Sequence, residues 1–146
     1  MNLIEGLKMK GELTIVVRDE SGLVKNSMHV PNLVVTAGKN FIASRIVGTA
    51  SPIMSHMAIG TGTATPAAGD TTLGTEAGRV ATTGTASTNQ VTFTSTFPAG
   101  TGTGAITEAG VFNAASLGTL LCRTTFPVVN KAAGDSIAIT WVVTVS

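Results

Sequence analysis

The chain has 146 residues, a formal net charge of +1, one cysteine and only 12% Asp, Glu, Lys and Arg. That length suits one domain with its own core, the single Cys122 excludes an intrachain disulfide or a thiolate metal cluster, and scattered, balanced charges leave no electrostatic footprint for nucleic acid or anionic lipid. The mean hydropathy of +0.38 comes without any apolar run near the ~18 residues of a membrane span, and Met1 to Lys10 lacks the ~7-residue apolar core of a secretory signal, so neither membrane nor nucleic acid is expected as a partner.

Residues 1–10, with Leu3, Ile4 and Leu7, have no place in the β pattern that follows and are expected to form an N-terminal arm that reaches a neighbour. Residues 11–146 are expected to be a single β-sandwich domain. Leu13, Ile15 and Val17 share one face of a strand, Asp19-Glu20-Ser21-Gly22 supplies turn chemistry, and Leu23 to Val30 returns as the second arm of a hairpin. Thr36 is a candidate cap for a short helix over residues 37–47, with Phe41, Ile42 and Ile46 on one side and Gly48 as terminator. A short strand is expected at Ser55 to Ile59. Gln90 to Pro98 alternates cleanly, with Val91, Phe93, Ser95 and Phe97 on one face and Thr92, Thr94 and Thr96 on the other; Arg79 to Ala86 is its expected partner.

Ile106 to Asn113 and Thr119 to Val128 form a further hairpin around Ala114 to Gly118. After the turn from Lys131 to Asp135, Ile137, Ile139, Trp141, Val143 and Val145 alternate along the last strand. About eight antiparallel strands with one short helix predict a mainly β protein, an antiparallel β-sandwich. Two tetrapeptides occur twice, Thr-Glu-Ala-Gly at 75–78 and 107–110 and Ala-Ala-Gly-Asp at 67–70 and 132–135. Two copies fall short of the roughly three that a solenoid needs, so both read as turn chemistry used twice.

No segment carries a recognisable reaction centre. Gly60-Thr61-Gly62-Thr63 lacks the lysine and following Ser or Thr of a phosphate loop, and no third glycine opens a helix after a strand. His29 and His56 stand in no metal-ligand spacing with Cys122 or an acid, and there is no Gly-x-Ser-x-Gly nucleophile turn. Cys122 follows Leu120 and Leu121, the setting of an inert buried thiol. The chain is not expected to be an enzyme, and no catalytic residue, metal or cofactor is assigned. Glu76, Arg79, Glu108 and Arg123 are ions among apolar β segments, where charge is costly unless paired. They read either as fixed ion pairs or as solvated strand-end charges; a Glu108 to Arg123 pair would align a hairpin or cross a subunit boundary.

From Val80 to Cys122 the sole formal charge is Glu108. A soluble monomer usually has about a quarter or more of its surface positions charged, whereas threonine hydroxyls and methyls can meet another protein without desolvating an ion. Thr92, Thr94 and Thr96, with Leu3, Ile4 and Leu7 of the arm, are therefore the candidate assembly-interface residues.

Four stretches together carry a family resemblance: Met54-Ser55-His56-Met57-Ala58-Ile59-Gly60-Thr61-Gly62-Thr63; Asp70-Thr71-Thr72-Leu73-Gly74-Thr75-Glu76 with Arg79; Ile106 to Asn113; and the tail Gly134 to Trp141. In this order they resemble small structural proteins of tailed bacteriophages, described as head-decorating or tail-fibre-like, over roughly Asn32 to Ser146. The resemblance implies a β-rich module that works as an oligomer, often a trimer, bound to other virion proteins on the particle exterior after synthesis in the host cytoplasm. No shaft, repeat or tip domain is expected, and tyrosine is absent. The reading that fits best is thus a homotrimeric capsid decoration or cement protein on the major capsid protein. The alternative is a tail, neck or fibre adaptor in host attachment; a carbohydrate-binding or hydrolytic sandwich is disfavoured by the lack of an aromatic platform.

Overall fold

The computed structural model describes residues 6–49 and 51–146. Alternating branched apolar and polar residues give nine strands: β1 (Met9–Arg18), β2 (Val24–Val34), β3 (His56–Gly60), β4 (Glu76–Ala81), β5 (Thr83–Ser87), β6 (Gln90–Phe97), β7 (Gly104–Phe112), β8 (Leu120–Lys131) and β9 (Ser136–Val145). One helix, α1 (Thr36–Ile46), lies between β2 and β3. The strands are hydrogen-bonded in the order β4-β3-β7-β8-β2-β1-β9-β6-β5, and every pairing is antiparallel.

Two strands pass from one half of this sheet to the other and fold it nearly shut. β2 pairs with β1 from Val24 to Asn32, then Leu33 and Val34 pair with Arg123 and Cys122 of β8. At the opposite corner β4 and β5 are one segment interrupted at Thr82, whose N–H donates to Ser55 O (2.8 Å) and whose Oγ1 donates to Thr94 O (2.9 Å). Before Thr82 the segment pairs with β3; after it, with β6. One half is therefore β5-β6-β9-β1-β2 and the other β2-β8-β7-β3-β4. Leu13, Ile15, Phe93, Phe97, Ile139 and Trp141 from the first half meet Met57, Ile59, Ile106, Val111, Phe126 and Val129 from the second in one core. Each such side chain contributes about 1.5–3 kcal/mol by leaving water.

The mainly β class with one helix is the architecture, and three expectations need correction. The strand expected over 79–86 is two, because Thr82 turns the chain from β3 to β6; only its second part partners β6. Lys8 to Lys10, assigned to the arm, belong to the sheet: Lys8 and Ser146 exchange backbone hydrogen bonds of 2.7 and 2.8 Å, and β1 begins at Met9. Thr36 is the first helical residue rather than the cap; Val35 holds the cap position, and no side chain caps the helix.

Phe41 and Ile42 of α1 pack against the core, but Ile46 is 79% exposed, so the apolar side of the helix is narrower than its spacing suggests. A Cβ at Gly38 would stand 2.1 Å from Leu121 O. Glycine there lets the helix backbone lie directly on β8. Gly48, at φ +69°, follows the helix and donates its N–H to Arg45 O (3.1 Å).

Candidate assembly surface and the network behind it

Across β5, β6 and β9 the outward face of the β5-β6-β9-β1-β2 half is a near-continuous field of small uncharged residues. Strand register aligns Thr83, Thr94, Thr140, Thr14 and His29 in one row across five strands. Thr85, Thr92, Val142, Glu12 and Pro31 form the next row, and Thr96, Ala138, Val16 and Ser27 flank the first on its other side. Thr94 and Thr96 are exposed and Thr92 is half-buried. The ionisable groups Lys10, Glu12, Arg18 and His29 of this face lie on β1 and β2, with His29 Nε2 3.2 Å from Glu12 Oε2 and Nδ1 3.1 Å from Thr14 Oγ1. Alternation drives this arrangement: the same strands turn Leu13, Phe93, Phe97, Ile139 and Trp141 inward, which leaves threonine outward.

In the other half β3, most of β7 and the first part of β8 are covered on both faces. Its outward residues Ala58, Phe112 and Leu120 are buried with Val35 and Leu73 in a second apolar cluster, roofed by the 61–75 loop and the start of α1. The loop is held by Glu108, which is fully buried. Its Oε1 accepts the N–H groups of Gly62 (2.8 Å) and Thr75 (2.7 Å), and its Oε2 accepts the N–H of Gly74 (2.8 Å). Arg123 completes the shell by donating Nε and Nη2 to Oε2 at 3.1 and 2.8 Å. Arg123 itself is buried and reaches the loop twice more, donating Nη1 to Asp70 Oδ2 and Nη2 to Ala64 O, both at 2.9 Å.

Burial acts to raise the Glu108 pKa, but the Thr75 and Gly74 N–H groups, Arg123 and the Gly62 N–H outweigh it and hold the carboxyl below its ordinary range. The group stays ionised because five donors replace its hydration. Space is tight around it: a Cβ at Gly62 would stand 2.5 Å, and one at Gly60 2.6 Å, from Glu108 Oε1. Glycines at these points admit the carboxylate, so the Gly60-Thr61-Gly62 segment is a cradle for the protein's own side chain.

Glu76 and Arg79 form a second pair on the same half. Arg79 donates Nε and Nη2 to Glu76 (3.1 and 2.6 Å), and its Nη1 donates to the carbonyls of Ala114 (2.8 Å) and Leu117 (2.9 Å). Its guanidinium lies 3.8 Å from the Phe112 ring centroid, a cation–π contact. The four ions thus form two pairs, Glu108–Arg123 and Glu76–Arg79, each within one chain. One pins the 61–75 loop and the other the β7-β8 loop.

Sequence reasoning missed Asp70, Lys131 and Asp135. Asp70 and Asp135 end the repeated Ala-Ala-Gly-Asp, and both copies are the same turn. In each, the Asp N–H donates to the carbonyl of the first alanine (3.0 Å in both) and the carboxylate accepts that alanine's N–H (2.9 and 2.8 Å). The second carboxylate also pairs with Lys25. The repeat was the signal that could have found these acids. Thr-Glu-Ala-Gly is not turn chemistry: its copies lie along β4 and β7, and Glu76 and Glu108 both register against Gly60 of β3. Lys131 is buried with its Nζ donating to Pro98 O (2.9 Å).

Of the arm candidates, Leu7 is 76% exposed, while Leu3 and Ile4 lie outside the described residues. Cys122 is fully buried, and that burial pushes its thiol pKa far up. Comparison with protein-family models, curated proteins and solved structures found no match to this chain.

Proposed function

We propose that the chain is a structural subunit of a bacteriophage virion, a homotrimeric decoration or cement protein bound to the outer face of the major capsid shell. The observation that supports this reading is the uncharged β5-β6-β9 part of the outward face. Thr83, Thr85, Thr94, Thr96 and Thr140 are exposed there, with no charge on β5 or β6. Such a face can be buried against protein at little desolvation cost, and many copies on one shell would add avidity to a modest single contact. The resemblance supplies the kind of particle. The buried ion network serves the same end by holding the 61–75 loop in one conformation on the opposite side.

The test is quantitative mass spectrometry of purified particles, with capsids assembled with and without the protein heated in parallel. Hundreds of copies per particle and earlier DNA release from capsids that lack it are the expected result. A handful to a few dozen copies would assign the chain to a tail, neck or fibre adaptor instead. Its absence from particles would overturn the virion role. Thr94→Lys with Thr96→Lys should sharply reduce occupancy while leaving the isolated protein folded.

A further inference from the structure

Among the described residues β5 is an unprotected sheet edge, and the same segment shows what protection would look like. The N–H of Thr82 points to Ser55 O, and alternate residues of a strand direct their backbone groups to the same side. The N–H and C=O of Gly84 and Ala86 therefore point toward the β3 side, away from β6. The two-residue connection between Ser87 and Gln90 gives the same parity, since Ser87, Thr85 and Thr83 then bond to β6. No strand occupies the place beside Gly84 and Ala86 among the described residues. The chain leading into β3 turns aside instead: Ser55 N–H donates to Phe112 O (2.9 Å), and Asn113 Nδ2 donates to Pro52 O (3.3 Å).

The free side of β4, by contrast, is closed by its own chain. Gly78 lies so near Gly102 that a Cβ would stand 2.9 Å from the Gly102 N, and Ser95 Oγ donates to Ala81 O (3.2 Å). Natural edges are guarded by charge, proline, a bulge or a cover. Thr83-Gly84-Thr85-Ala86-Ser87 has no charge and no proline, its register is unshifted, and all five residues are exposed.

We propose that β5 pairs with β5 of a second copy, antiparallel about a two-fold axis at Thr85. This register sets Gly84 opposite Ala86 of the partner and Ala86 opposite its Gly84. Both are hydrogen-bonded positions, so all the outward backbone groups of these two residues are satisfied. Thr85 then faces its own counterpart on the outer surface, and Thr83 faces Ser87. A second copy is the occupant because this pairing places no like charges together and joins two threonine faces into one surface. A two-fold contact cannot lie within a trimer, so it links one trimer to the next. The inference rests on the reading of the chain as a multi-copy subunit.

Thr85→Cys tests it directly. In a non-hydrogen-bonded antiparallel pair the Cα atoms lie about 4.5 Å apart, within the span a disulfide bridges. Buried Cys122 is inert to mild oxidant, so a covalent dimer reports the new cysteine alone. Thr85→Cys should cross-link roughly tenfold faster or more than Thr94→Cys, an exposed position on the same face but away from the edge. Ala86→Pro in the Thr85→Cys background should abolish the excess, because that N–H serves no bond among the described residues. Thr85→Lys should independently abolish the concentration-dependent association of trimers in sedimentation.

Equal rates at Thr85 and Thr94 would overturn the proposal, as would a cross-link unmoved by Ala86→Pro together with trimer association unmoved by Thr85→Lys. Cross-linking through Thr85 in a protein absent from particles would refute the virion role and leave the edge contact standing. A protein abundant on particles that fails to cross-link would do the reverse.

Discussion

On the β2-β8-β7-β3-β4 half, Ala58, Gly110 and Phe112 point outward yet lie under the protein's own loop and helix, and Glu108 and Arg123 are sealed in with them. On the β5-β6-β9-β1-β2 half the equivalent positions are Thr94, Thr96, Thr140 and Thr83, and none of the described residues covers them. The loop and helix between β2 and β4 roof only one half. The sparse surface charge therefore has two origins: on one side the ions are turned inward to hold the roof, and on the other they are missing from the β5-β6-β9 part of a face left open. A neutral face is evidence of contact only on the side where the chain supplies no cover of its own.

The sharpest way to break this contrast is to remove the ion that ties the roof down. Arg123→Met leaves Glu108 buried beside three backbone donors without its countercharge, a change expected to cost about 3–5 kcal/mol. The urea midpoint should fall accordingly, and limited proteolysis should cut first within residues 61–75. A loss under about 1 kcal/mol, in the range of an exposed pair, would mean that the loop is held by Leu73 packing instead.

Acid sharpens the same point with a smaller effect. The Glu108 pKa is lower folded than unfolded, so its contribution is present above the unfolded value of about 4.3 and is lost as pH falls through the folded value. Thermal unfolding of the wild type should move to lower temperature as pH drops below that point, and Glu108→Gln should flatten the slope. Some slope should remain, because Asp135, held low first by its hydrogen bond from Lys25, and Asp19, held low first by Ser21, titrate in the same direction. An unchanged slope in Glu108→Gln would remove the carboxylate from the account.

The open half gives the smallest effect on the isolated protein. Thr94→Val alters an exposed side chain and should change unfolding free energy by no more than about 0.5 kcal/mol. A loss comparable to that of Arg123→Met would show that the threonine face stabilises the subunit itself.

The two halves also differed in how far they could be read from the sequence. β6 and β9 have one face in the core and one outside, so Phe93, Phe97, Ile137, Ile139 and Trp141 announce themselves by period-two alternation. β7 is buried on both sides, and Glu108 stood out there because an ion within Ile106 to Phe112 demands a partner. Its pairing with Arg123 emerged as one of two readings, beside solvated strand-end charges. The remainder of its shell did not, since the N–H groups of Gly62, Gly74 and Thr75 belong to the backbone and leave no mark in residue type. Asp70 reaches Arg123 across 53 residues of chain, a separation that local patterns do not encode. The division of 79–86 at Thr82 was equally hidden: one alternation continues through the corner, and only the identity of the neighbouring strand changes.

The two corner segments carry a mechanical consequence. β2 and the chain through Thr82 are covalently continuous across the fold, so prising the halves apart would have to tear backbone ladders at both corners in addition to separating apolar side chains. On the proposed reading, a shell that swells pulls on its attached subunits along its own surface. A subunit built this way would transmit that tension through its strands as one stiff plate, and any give would lie in the joints between copies.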